Sequence, residues 1–101
     1  MIRSIYLRIE DEDDTIKIFG CLLFVDGSLL YFFEYNALGE LRGCRFRWQT
    51  REGNMIAQYD NAPHFTNITT FPDHKHIPVG VIPSKQRKLR DVIKEIEQEM
   101  L

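Results

Sequence analysis

All three histidines of the chain, His64, His74 and His76, fall inside the segment Asp60–His76, which reads DNAPHFTNITTFPDHKH. Imidazole is the side chain that gains and loses a proton near neutral pH, so a group of them suits acid–base chemistry or metal ligation. Pro63 and Pro72 precede the histidine-bearing stretches. Proline fixes its own φ and pushes the preceding residue to extended geometry, which predicts a stiff connection. His74 and His76 flank Lys75. On extended backbone the two imidazoles point one way and the ammonium the other.

Three readings compete for this segment. In the first, one histidine is a general base and another a general acid, with Lys75 or Arg47 neutralising charge in the transition state. In the second, His74 and His76, joined by His64 or an aspartate, bind a divalent metal. In the third, the imidazoles only hydrogen-bond the backbone of an irregular loop. Three histidines beside Asp60 and Asp73 favour function over the third reading. Asp60-Asn61 suits a turn, and Asp60 can also orient an imidazole by accepting its N–H.

A second constellation lies upstream. In Leu41–Thr50, alternation puts Arg45, Arg47 and Gln49 on one face, and Cys44, Phe46 and Trp48 on the other. Two arginines on one face can grip neighbouring phosphates with forked hydrogen bonds. Tyr31 or Tyr59, if exposed nearby, would stack on bases. Together the two constellations suggest RNA cleavage without a bound metal or other cofactor. The ribose 2′-hydroxyl is an internal nucleophile that needs only deprotonation, positioning and phosphate neutralisation. The expected catalytic set is then His64, His74, His76, Lys75 and Asp60, with Arg45 and Arg47 binding substrate. A metal-dependent hydrolase built on the same histidines is the enzymatic alternative, and a non-enzymatic protein-binding module the other.

The elements that must position these residues read as strands. Residues 2–9 alternate with period two, and Glu10–Asp14 are consecutive acids expected as an exposed loop. Thr15–Val25, Leu29–Tyr35, Leu41–Thr50 and Met55–Tyr59 follow as strands. Asp26-Gly27, Asn36–Gly39 and Arg51–Asn54 supply the turns between them. After Pro83, Leu89, Val92, Ile93, Ile96 and Met100 fall at helical spacing, predicting a helix from about 85 to about 99 with Ser84 as N-cap. The expected fold is α+β: an antiparallel meander of about five strands with one C-terminal helix packed on one face. The central strands are apolar on both faces, and one helix covers only one. The second face meets another chain, either a second copy in a homodimer or a different protein, or else sheet twist and the 60–83 loop cover it.

Size and composition exclude much else. The chain has 101 residues, so 1–101 is expected as a single domain. The net charge of −2 gives no bulk attraction to nucleic acid, so any RNA binding needs a local patch. Cys21 and Cys44 fit no zinc spacing and sit in apolar strands as inert thiols. No signal peptide, membrane span or Gly-rich phosphate loop is recognisable, and the expected location is cytoplasmic, with no membrane partner.

The run FRWQTREGNMIAQYDNAPHF followed by TTFPDHKH resembles the TumE family of prokaryotic toxin–antitoxin systems. The resemblance is strongest from Tyr35 to His76, and DNAPH and FPxHKH are its most specific motifs. It implies a growth-inhibiting toxin neutralised by an antitoxin with a helix-turn-helix domain. Asp60, Asn61, Pro63, His64, His74, Lys75 and His76 carry over as motif positions. The chain departs at Phe65 and Asp73, where many relatives carry histidine.

Overall fold

The computed structural model describes residues 1–100. Seven strands form one antiparallel sheet: β1 (Ile2–Glu12), β2 (Thr15–Phe24), β3 (Leu29–Ala37), β4 (Glu40–Gln49), β5 (Met55–Asp60), β6 (His74–Ile77) and β7 (Gly80–Pro83). Every strand pairs with its sequence neighbour, so spatial order equals chain order. A single helix, α1 (Leu89–Glu99), follows.

The turns explain the meander. Leu38-Gly39 joins β3 to β4 with both residues at positive φ (54° and 77°), the backbone that a two-residue hairpin loop demands. Asp26 caps the β2–β3 turn: its Oδ1 accepts from the Ser28 N–H at 2.8 Å and the Ser28 hydroxyl at 2.6 Å. The acidic run is less loop than expected. Glu10, Asp11 and Glu12 belong to β1, and only Asp13 and Asp14 turn the chain. Continued pairing of β1 with Thr15–Lys17 outweighs the local charge repulsion.

The strand count corrects the expectation of about five. His74–Ile77 and Gly80–Pro83 form a hairpin that extends the sheet beyond β5. Both strands are four residues long, and the first carries two imidazoles and an ammonium instead of an apolar alternation. The helix also starts later than expected. Ser84 does not cap it: its N–H donates to Thr70 Oγ1 at 2.9 Å, which holds the chain extended. Lys88 is the N-cap, and Asp91 closes the first turn by accepting the Lys88 N–H at 3.1 Å.

One sheet face and α1 make the core. Leu22, Phe24, Leu30, Phe32, Cys44, Phe46, Ala57 and Tyr59 bury against Val92 and Ile96. Burying a side chain such as Phe46 stabilises the fold by about 1.5–3 kcal/mol. Gly20 sits in register with Phe32, whose ring lies across it, and a Cβ there would collide with that ring. Gly20→Ala is therefore expected to destabilise the protein by about 1–3 kcal/mol through overpacking, read as a lower urea midpoint at unchanged slope.

The helix does not reach β1. Ile5, Leu7 and Ile9 lie in register with Leu22, Gly20 and Ile18, on the helix side of the sheet, and stay 65%, 55% and 57% exposed. The opposite face follows the other half of the alternation. Across it run two rows, Arg8–Phe19–Phe33–Arg45–Asp60–His74 and Tyr6–Cys21–Tyr31–Arg47–Gln58–His76. That open face is aromatic and cationic in its centre and carries the imidazoles at one end.

Candidate active site

Asp60 ends β5, and His74 and His76 lie on the adjacent β6. The register pairs Asp60 with His74 and Gln58 with His76, so period-two alternation sends all four side chains to the open face. Neighbouring strands are about 4.8 Å apart, which lets the side chains converge. His74 Nε2 is 2.7 Å from Asp60 Oδ1, His76 Nε2 is 3.3 Å from Asp60 Oδ2, and the two Nε2 atoms are 3.1 Å apart.

Each member is held from behind. The Pro72 carbonyl, 2.9 Å from His74 Nδ1, accepts that N–H. This fixes the ring's orientation and turns Nε2 toward the carboxylate. Asp60 Oδ1 accepts the Ala62 N–H at 3.2 Å, and Oδ2 accepts Gln58 Nε2 at 3.0 Å. Phe65 packs edge-on against both imidazoles, with ring centroids 4.8 Å and 5.6 Å away. The 61–73 loop thus roofs the cluster. The His74 side chain is 1% exposed and that of Asp60 7%, but His76 keeps 27%. Solvent reaches the cluster through His76.

Arg45 and Arg47 occupy the next strand on the same face, in register with Asp60 and Gln58. Arg45 is exposed. Arg47 donates from Nε to Gln49 Oε1 at 3.0 Å. Neither guanidinium has an ion-paired carboxylate among the described residues, so both charges are available to an anion on this face.

The other expected residues are placed elsewhere. His64 is exposed on the loop and is not among the residues whose donor atoms lie within 4.8 Å of one another: Asp60, His74 and His76. Lys75 faces α1, as alternation requires. Its Nζ sits 3.0 Å from Glu95 Oε1 and 5.0 Å from the Tyr59 ring centroid. Arg87 stacks on the other side of this group, 3.9 Å from Glu95 Oε2 and 5.4 Å from the Tyr59 centroid. The Tyr59 hydroxyl donates to Glu95. Lys75 and Arg87 therefore tie β5 and β6 to the helix on the face opposite the imidazoles. Asn61 is structural as well: its Oδ1 accepts the Cys44 N–H at 3.1 Å, and its Nδ2 donates to the Arg42 carbonyl at 3.2 Å.

Glu95 gives this tie a pH signature. Burial pushes its carboxyl pKa up, but hydrogen bonds from Tyr59 and Lys75 and the charges of Lys75 and Arg87 outweigh burial and hold it below the ordinary 4.5. A carboxylate lowered in the folded state stabilises fully above its unfolded value and loses that contribution as pH falls through the folded one. The stability difference between the native chain and Glu95→Gln is expected to be complete at pH 7 and to shrink below about pH 4.5, as read from urea midpoints across pH.

Neither cysteine offers a nucleophile. Burial first, then the charges of Asp73, Glu34 and Asp60, push the Cys44 thiol up to about 12, and burial raises Cys21. Two participants escaped the sequence reading. Gln58 shares a face with Asp60 by position i−2, a signal that was available. Phe65 reaches the imidazoles only because the loop folds back, which no local pattern reveals.

The family model described as Toxin TumE matches residues 2–100. None of the curated proteins and none of the solved structures compared with the chain matches it. No helix among the described residues is long and apolar enough to cross a membrane.

Proposed function

The chain belongs to the TumE toxin family, and from that premise we propose that it arrests growth by cleaving RNA at the Asp60–His74–His76 cluster. The observation that carries this reading is the shared face. The cluster and the two unpaired guanidiniums of Arg45 and Arg47 lie on adjacent strands of one exposed surface. A phosphate held by Arg45 and Arg47 on β4 lies two strands from the accessible imidazole, His76 on β6, with Asp60 and Gln58 of β5 between them. Phe19, Phe33 and Tyr31 continue the same face and offer stacking surfaces for unpaired bases.

The cluster supports two forms of the chemistry. Without a metal, His76 takes the 2′-hydroxyl proton, the 2′-oxygen bonds to phosphorus as the bond to the 5′-oxygen breaks, and that oxygen leaves with a proton from solvent, while Asp60 orients the imidazole and the arginines neutralise the phosphorane-like transition state. With a metal, Asp60, His74 and His76 would hold the ion, which would supply Lewis acidity. Convergence of three donor atoms favours the second form.

The antitoxin, with its helix-turn-helix domain, and the toxin meet in the cytoplasm in this reading. The partner surface is the exposed outer edge of β1 with Ile5, Leu7 and Ile9, an apolar strand with free backbone groups suited to strand addition. A homodimer through the open face competes with RNA for Arg45 and Tyr31, and size-exclusion chromatography with and without RNA separates the two.

The test is incubation of purified chain with RNA, with and without a chelator and with antitoxin verified absent. Cleavage that survives the chelator supports the metal-free form, and cleavage lost with it supports the metal form. Intact RNA under both conditions removes the ribonuclease reading. A non-enzymatic toxin would instead keep its toxicity in a folded His76→Ala variant.

A further inference from the structure

We propose that Asp60, His74 and His76 form a binding site for one divalent first-row transition-metal ion. The argument begins with hydrogens. His74 Nδ1 faces a carbonyl oxygen, which can only accept, so that nitrogen carries a proton. In the neutral ring Nε2 is then a lone pair. It points at Asp60 Oδ1, 2.7 Å away, and at His76 Nε2, 3.1 Å away. Two acceptors buried face to face, as His74 Nε2 and Asp60 Oδ1 are, repel unless a positive centre lies between them.

The spacing matches an ion better than a proton. A proton lies along one donor–acceptor line, whereas here two imidazoles and both oxygens of one carboxylate converge, with edges of 2.7 Å (His74 Nε2 to Asp60 Oδ1), 3.1 Å (Nε2 to Nε2) and 3.3 Å (His76 Nε2 to Asp60 Oδ2). Ligands about 2.0–2.2 Å from a common ion, at tetrahedral to octahedral angles, stand roughly 2.9–3.5 Å apart. Two of the three edges fall in that range, and the shortest lies just below it.

The surroundings are those of a metal centre. The Pro72 carbonyl on His74 Nδ1, and Gln58 and the Ala62 N–H on Asp60, supply the outer hydrogen bonds that orient imidazole and carboxylate ligands. His74 and Asp60 are buried, and His76 opens to solvent. Three protein ligands with one open side describe a site that can admit water or substrate, not a closed structural site. Two imidazoles and one carboxylate select zinc, cobalt, manganese or iron(II) over calcium or magnesium.

The proposal stands whether or not RNA is the substrate, and its test reads no activity. Metal-stripped full-length chain is titrated with Co²⁺ and followed by visible absorption, and with Zn²⁺ followed by equilibrium dialysis. About one ion per chain is expected, with a cobalt ligand-field band from a site containing nitrogen and oxygen donors. His76→Ala, at the partly exposed corner, is expected to lose binding while keeping the far-UV spectrum of the native chain. Gln58→Ala is expected to weaken binding about 10-fold or more, as loss of an outer hydrogen bond does. His64→Ala is expected to bind as the native chain does. Absence of binding by the native chain at micromolar metal, or binding that survives in folded His76→Ala, would overturn the proposal and leave a cluster held by protons alone. Failure of RNA cleavage in a chain that binds one ion would overturn only the choice of substrate.

Discussion

Replacing His76 by alanine is expected to abolish growth inhibition while the protein stays folded and still binds its antitoxin. His76 is the cluster member that solvent reaches, so in the proposed reaction it is the one placed to meet substrate. Whether it moves a proton or ligates an ion, its loss removes a group acting on the reacting atoms, and such groups contribute about 10²–10⁴ in rate. Its fold contribution is small by comparison, because its side chain is 27% exposed and its ring leaves the helix-side core untouched. Lys75→Gln provides the contrast. That side chain sits on the other face, against Glu95 and Tyr59, so the variant is expected to keep its toxicity and lose only stability. Growth curves under induced expression, with antitoxin pull-down as the folding control, measure both. Toxicity lost in Lys75→Gln and retained in His76→Ala would reverse the assignment of faces.

Asp60→Ala is expected to be the most destabilising change at the site. Asp60 is buried and takes hydrogen bonds from the Ala62 N–H and Gln58 while facing both imidazoles. Truncation strands His74, 1% exposed, with no partner for Nε2 except His76. Leaving buried polar groups without their partners costs about 1–3 kcal/mol each, and here the Ala62 N–H and Gln58 lose theirs together with His74. Asp60→Asn keeps the shape and one acceptor oxygen, so it is expected to cost less. Urea unfolding of the two variants at pH 7 provides the comparison. Equal stability of native and Asp60→Ala protein would mean that the cluster is not a connected unit.

The same residues show what was legible in the chain. Strands β1 to β5 could be read because their apolar residues alternate and because Asp26-Gly27 and Leu38-Gly39 punctuate them. The hairpin of β6 and β7 could not, since His74-Lys75-His76 carries no apolar period and the pairing that joins it to the sheet comes from Tyr59, sixteen positions before Lys75. Ser84 has the side chain of a helix cap, but Thr70, fourteen positions earlier, takes its N–H. Local signals described the turns, and tertiary contacts decided the last two strands and the helix start.

At the site, alternation was the reliable guide. It put His74 and His76 together, Lys75 opposite them, and Arg45 with Arg47. Proximity in sequence was the poor guide. His64 lies between Asp60 and His74 along the chain, but the loop that carries it leaves it exposed and brings Phe65 to the rings instead. The two apolar faces inferred from β2 and β3 became one core face and one mixed face, because Arg8, Arg45 and Arg47 interleave with the aromatics only once four strands are in register.

The most direct measurement follows end-labelled single-stranded RNA with purified native and His76→Ala protein under identical conditions, the fold of each confirmed by circular dichroism. The account predicts discrete cleavage products with the native chain and at least about 100-fold slower cleavage with the variant. Equal cleavage by both, or intact RNA with folded native protein, would contradict the placement of the reaction at this cluster.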